Sequence, residues 1–582
     1  MAERVVNLHT RDTETQYEKA VAQLPEFSRM VVEPRHITSF NAGRLVPIYC
    51  REILPNETIS INIDAVIREV TMKTPVLGGL LCDFYAFFVQ NRNVNDDWKE
   101  TMGENPNGAW YPLDTDLCAL YSGSEGVQFP VGSIADYYGL PTQAKMPAQI
   151  LQAMNDLRFR GYFMIWNEYF RDQNYQAPLP LSTENNTQSG FFTAAASGGI
   201  SILQEPLRVN KLHDYFTSVL PSPQKGAEVF IPLTGTAPVV GGGNSSVSGS
   251  GLDMTSTGVF PHGILFNFSS APIGASNIIV NTPSGTLSYL SPESADKPLI
   301  TGITSDSFVL NKPVFNNVSV DLSEVTAVSI SDLRMASATQ RFYEQLARVG
   351  SRYREYVAGF FGIEVNNPMR DVPTYLGHLR RELEVYQTAQ TSASESGSTP
   401  QGNLAAFSYS RPSGSIIQNG SFTAVEHGYL HIFVVIRQKN VYPSFCPPDL
   451  FRRSMLDFYQ PQLANISEQP VYTRSINPFA TDLDGVFGYQ EAWAEYRDEP
   501  DLVSGLMRPG VTGSLSSWNY ADEFDSGLTI ADDQFMLSNA QEVVDRTVEI
   551  ASTTSTHQFY GEFHFVTDKQ LPMPVYSVPE LE

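Results

Sequence analysis

The spacing of apolar residues changes period several times along the chain, and each change predicts an element. In "ETISINIDAVI" (57–67), Ile59, Ile61, Ile63, Ala65 and Ile67 alternate with polar residues, apart from Val66. A period of two predicts a strand with one buried face. "LLCDFYAFFVQN" (80–91) is almost continuously apolar and aromatic, which predicts a strand buried on both faces. The Pro and Gly of "KTPVLGG" between these runs supply a turn. Strand patterns return in "GYLHIFVVIRQKNVY" (428–442) and in "HQFYGEFHFVTD" (557–568), where Phe559, Phe563 and Phe565 share a face.

Helical spacing interrupts these strands. "ILQAMNDLRFRGYFMIWNEYFRDQN" (150–174) carries bulky residues three and four apart, and "VNKLHDYFTSVLPSPQKG" (209–226) reads as a short helix closed by Pro221 and Pro223. The longest helical pattern covers 331–362, with Phe342, Leu346, Val349, Tyr353, Val357 and Phe360 as one stripe and Gly350 as a kink point. In "FGYQEAWAEYRDEP" (487–500), Tyr489, Trp493 and Tyr496 stand four and then three apart, which predicts one face of a helix stopped at Pro500. So much aromatic bulk beside so much charge suits a surface that packs against another surface. These three residues are the candidate interface anchors.

Four regions follow. Residues 1–30 are polar and read as an arm. Residues 31–234 and 318–582 hold the strands, with helical excursions hung between them. Between these parts, 235–317 is rich in Gly, Ser, Thr and Asn, with short β-like runs, and reads as a surface insertion with little core of its own. A second low-complexity stretch, 388–403, reads as a loop. The expected class is all-β dominated: a β-sandwich scaffold with long insertions that contain several helices.

Composition narrows the function. Of 582 residues, 42% are hydrophobic and 11% aromatic, ample for a large core, while 17% are charged against a norm of about 25%. The net charge of −25 argues against a protein whose main task is gripping nucleic acid. Cys50, Cys82, Cys118 and Cys446 are far apart in no metal-binding spacing, which predicts free thiols in a reducing compartment. The N-terminal stretch lacks the apolar core of a signal peptide, and no apolar run is long enough to span a bilayer. Synthesis in a cytoplasm without membrane insertion is therefore expected, and the Asn-x-Ser triplets at Asn244 and Asn317 read as loop chemistry.

Catalytic signals are poor. No phosphate-binding G-x-x-x-x-G-K-[ST], zinc-protease H-E-x-x-H or nucleophile-elbow motif is present, and the Gly-rich "VVGGGNSS" lacks both a lysine and a following helix. His427 and His431 would suit a metal on a helix, but they enter a strand pattern, so His431 is expected to be paired locally. Asp482 and Asp484 in "TDLDG" allow a loose calcium contact without the register of an EF-hand. Arg334, Arg341 and Arg348 recur every seven residues, with Arg352 four further on. On a helix they share a face that could track a phosphate backbone. The alternative is a solvated face with ordinary pairs such as Glu344–Arg348, which the acidity of the chain favours.

Several stretches, in order, resemble the major capsid protein of microviruses, most closely the gokushovirus-like branch. They are "FNAGRLVPIYCREILP" (40–55), "WNEYFRDQN" (166–174), "KLHDYFTSVLPSPQKG" (211–226), "ISDLRMASATQRFYEQLARVGSRYREYVAGFFG" (330–362), "EHGYLHIFVVIRQ" (426–438), "LDFYQPQLANISEQPVY" (456–472) and "FGYQEAWAEYR". The resemblance implies a single viral jelly roll with large insertions and no enzymatic activity. It further implies pentamers assembled into a T=1 icosahedral virion shell around circular single-stranded DNA, with the insertion protruding at threefold axes to meet a host receptor. After "WAEYR" the family usually continues with basic residues, whereas this chain has Asp498, Glu499 and Asp501, so genome contact is not expected there. Neutralising the packaged DNA would then fall to a small basic protein or polyamines. The aromatic content and neutral polar loops also permit a lectin-like, carbohydrate-binding β-sandwich or a hydrolase using paired carboxylates.

Overall fold

The computed structural model describes residues 27–104, 115–193, 199–227, 330–349, 371–383, 409–524, 527–549 and 557–576, with a few shorter stretches between 229 and 406. The strands that build the core are β1 (Ser28–Val32), β2 (Arg35–Phe40), β3 (Val46–Ile53), β4 (Thr58–Glu69), β5 (Leu80–Gln90) and β6 (Thr374–Leu383), followed by the short β7 (Tyr409–Ser410), β8 (Ser413–Ser415) and β9 (Phe422–Thr423). After them come β10 (Gly428–Arg437), β11 (Gln469–Tyr472), β12 (Val486–Gln490) and β13 (Phe559–Leu571).

Two antiparallel sheets result. In the first, β13 lies between β4 and the successive β1 and β2, and the far edge of β4 takes β7, β8 and β9 one after another. The second has the order β6–β5–β10–β3. If β1 and β2 count as one broken strand and β7 to β9 as another, the pairing is nested. The first strand pairs with the last, β3 with β10, β4 with the β7–β9 strand, and β5 with β6.

The strand patterns predicted at 57–67, 80–91 and 557–568 are all present. Ile59, Ile61, Ile63, Ala65 and Ile67 of β4 point inward with Phe559, Phe563 and Phe565 of β13, and meet Phe84, Phe88, Leu430, Ile432 and Val434 of the second sheet. Alternate residues of that sheet, among them Phe87, Val89, Phe433 and Val435, point the other way into a second cluster with Phe159, Tyr162, Phe163 and Trp166. A sheet covered on both faces needs apolar side chains at successive positions. That requirement explains the unbroken run of β5.

The second cover is the helical excursion, with α1 (Leu157–Ile165) running into a single wide turn at Trp166–Phe170. Its hub is Arg160, which is fully buried. Arg160 Nε donates to Asp156 (2.8 Å), while Nη1 and Nη2 donate to the carbonyls of Val94 (3.1 Å), Ser182 (3.0 Å), Glu184 (2.8 Å) and Asn186 (2.7 Å). One guanidinium thus gathers three loop segments, because a buried cation requires every donor to be satisfied.

One helical expectation changes here and another is met as far as it is described. The stretch 209–226 forms no helix: the Asp214 carboxylate accepts from the backbone N–H groups of Phe216 (3.0 Å) and Thr217 (2.9 Å) and closes one turn only. Such side-chain bonding competes with helix propagation. The 331–362 pattern yields α2 (Ile330–Val349), while Gly350, Tyr353 and Val357 lie outside the described residues.

The chain divides into two compact units, residues 1–227 with 341–582, and residues 228–340. In the second unit, Val239–Gly241 pairs with Val318–Val320 and Leu290–Pro292 with Pro298–Ile300, both antiparallel.

Candidate functional site

The aromatic segment does not form the predicted helix. Val486–Gln490 is β12, paired with β11, and Ala494–Tyr496 is a single tight helical turn. Between them Trp493 takes φ 62°, a left-handed conformation uncommon for a bulky residue. Its indole Nε1–H donates to the Leu463 carbonyl (2.9 Å), and Tyr459 packs edge-on against its ring at 5.5 Å. Tyr459 and Trp493 each lie within about 6 Å of Tyr496, at 6.1 and 6.2 Å. The Arg452 guanidinium lies over the Tyr496 ring at 4.3 Å and bonds Glu495 at 3.0 Å.

The structure therefore brings Trp493 and Tyr496 together but leaves Tyr489 on the strand, where its backbone bonds to Leu220 in both directions (2.6 and 2.8 Å). Burial separates the pair further. Trp493 is 8% exposed and Tyr496 52%. Trp493 fastens the turn within its own subunit, whereas Tyr496 presents its ring outward. Tyr459 is exposed beside it, and Leu450, Met455, Leu456 and Phe458 of the same segment are exposed too. Of these, Leu456 lines a cavity of about 280 Å³ together with Phe451, Arg452, Tyr472, Arg474 and Trp493. The Arg474 guanidinium lies over Phe451 (4.9 Å) and Tyr472 (4.5 Å). Aromatic rings stacked with arginines, with bare aliphatic side chains in the same segment, have the composition of a protein interface. Arg452 and Tyr459 were not singled out in the sequence; the aromatic pair Phe458–Tyr459 beside Arg452–Arg453 is the signal that would have found them.

Arg334 and Arg341 are exposed on α2, while Arg348 is held by the Glu468 carboxylate and lies 4.0 Å from Glu491. The hydrogen bond that Arg348 donates to Glu468 raises the guanidinium pKa above its ordinary value. Arg352 lies outside the described residues. Asp484 bonds Arg474 at 2.6 Å. His431 is on β10, fully buried, with Nδ1 2.9 Å from the Tyr138 hydroxyl, and burial pushes its pKa down to about 3. It is neutral. Among the described residues, no group of three or more His, Cys, Asp or Glu side chains is placed to hold a metal. Burial raises the Cys50 pKa to about 12, so that thiol stays protonated.

The profile of the family described as "Capsid protein (F protein)" matches residues 26–581. The chain belongs to this family. Capsid protein VP1 of Spiroplasma virus 4 is 33% identical over 561 residues, covering 95% of each chain. Capsid protein VP1 of Chlamydia phage 1 is 32% identical over 580 residues, 94% of each, and that of Bdellovibrio phage phiMH2K is 32% identical over 551 residues, 93% of each. A microvirus capsid protein is a structural component of the virion whose chains assemble into a shell, and its work is done by surfaces that meet other molecules. No helix among the described residues is long and apolar enough to cross a membrane.

Proposed function

We propose that this capsid protein assembles through pentamers into a T=1 icosahedral shell around circular single-stranded DNA, on a jelly-roll scaffold. The observation that carries the assembly reading is the exposed aromatic and aliphatic patch around Tyr496, on a chain whose family builds shells. Aromatic and arginine side chains supply most interface hot spots. The nested pairing of first strand with last, inward to β5 with β6, supports the jelly roll, since a long hairpin rolled onto itself pairs its strands in that order. The Gly, Ser and Thr content of 235–317 supports an outward role in host attachment, because such a segment buries too little apolar surface to serve as core. A net charge of −25 supports neutralisation of the genome by a small basic protein or polyamines.

Tyr496 and Trp493 make different predictions. Tyr496→Ala combined with Leu456→Ser is expected to leave the melting temperature of the subunit within a few degrees and to abolish shells in negative-stain images and size-exclusion profiles. Trp493→Ala is expected to destabilise the subunit itself, by about 3–5 kcal/mol for a buried large aromatic. Normal shells from the Tyr496 and Leu456 double variant would overturn the interface assignment.

A further inference from the structure

We infer that the face of the first sheet turned away from the core is the surface on which this shell protein meets single-stranded DNA. The inference rests on the encapsidation proposed above. Side chains of β1, β2, β4 and β13 that alternate with the core positions form this face, and among the described residues they range from half-buried to exposed, with Ile37 76% exposed. It carries four arginines, Arg29, Arg35, Arg68 and Arg411, and four carboxylates, Asp64, Glu562, Asp568 and Glu33, the last 3.8 Å from the His564 imidazole. In a chain of net charge −25, a face on which arginines match the carboxylates in number departs from the overall balance.

The pairing on this face favours exchange. Arg29 bonds Asp568, Arg35 lies 3.5 Å from Glu562, and Arg411 bonds Asp64. In each pair both side chains are at least a third exposed, from 35% to 74%. Exposed ion pairs contribute only about 0–1 kcal/mol, whereas a guanidinium takes a phosphate through two parallel hydrogen bonds. A phosphate backbone can therefore displace these carboxylates at little cost. Arg68 has no ion-pair partner among the described residues. Directly opposite it on the neighbouring strand stands Tyr560, 46% exposed. A cation beside an open ring is the unit from which sequence-tolerant single-strand sites are built: the guanidinium takes the backbone and the ring stacks a base.

The rival surface on α2 is weaker in this respect, since Arg348 already lies between Glu468 and Glu491. A second copy of the chain is a poorer occupant too, because interface cores are depleted of the charges that this face concentrates.

The test uses particles purified from the host. Their nucleic acid is first identified by nuclease sensitivity, then ultraviolet light cross-links the packaged strand, and nucleotide adducts are mapped by mass spectrometry. Adducts are expected on Tyr560. Adducts confined to other surfaces would overturn this inference while leaving encapsidation intact, and particles without single-stranded DNA would overturn the encapsidation reading as well. In parallel, purified subunits carrying Arg68→Ala and Arg411→Ala are titrated with a thirty-nucleotide oligothymidylate at low salt. Binding at least tenfold weaker than that of the natural chain supports the assignment, and a change under twofold overturns it.

Discussion

Asp83 is fully buried on β5, an inner strand of the second sheet, yet it stays ionised. Burial alone would push its pKa up, but hydrogen bonds from His378 (3.0 Å), Arg380 (2.6 Å) and Arg437 (2.6 Å) outweigh that and hold it well below the usual carboxylate range. Asp83→Asn would leave the buried Arg437 without its anion, a change expected to cost about 3–5 kcal/mol in urea unfolding. Glu69 shows the opposite balance. Burial raises its pKa from 4.5 to about 8, and the Tyr520 hydroxyl lowers it only in part. Between those values the folded chain keeps a proton that the unfolded chain releases, so this group makes stability fall as pH rises through the window. Glu69→Gln is expected to raise the melting temperature relative to the natural chain near pH 8 and to leave it nearly unchanged near pH 4. His431 acts at the acid end. Its folded pKa lies near 3 against an ordinary 6.5, so the unfolded chain gains the proton first and stability falls as pH drops through that range.

At the level of the element, β6 and the segment after β8 approach too closely for a side chain. A Cβ on Gly377 would stand 2.1 Å from the Ile416 carbonyl oxygen and 2.7 Å from the Gln418 nitrogen. The register of β6 against β5 shifts between Tyr375 and Gly377, as a bulge requires. Gly377→Ala is expected to lower stability by about 2–3 kcal/mol, read as a lower urea midpoint at unchanged slope. Elements of this kind differ in how far a short window reveals them. The faces of β4, β5 and β13 were legible because each is buried by a pattern contained within about a dozen residues. The turn at Asp214 was not, since Phe216 and Val219 keep helical spacing while the Asp214 carboxylate diverts the backbone. Half of the aromatic patch was legible in Trp493 and Tyr496. The other half, Arg452 and Tyr459, arrives from a separate segment that no local spacing connects to them. The Asp83 cluster was invisible for the same reason, as its partners stand about three hundred residues away.

For the whole molecule, every described member of the three core clusters comes from before residue 228 or after residue 340. The first unit therefore has its own core, and a short Gly-Ser linker in place of residues 241–310 is expected to leave folding and shell formation intact while abolishing adsorption to host cells. Sedimentation and an adsorption assay would check both halves, and a subunit that failed to fold would assign the segment to the core instead. The nested strand order carries a further consequence, for synthesis. The edge that β4 leaves open is filled by β13, which emerges roughly 490 residues later, or about 25–100 s at the usual pace of about 5–20 residues per second. Throughout that interval the nascent chain holds an apolar half-sandwich with unpaired backbone groups, so the ribosome and its chaperones must shield a subunit that only the last strand can close.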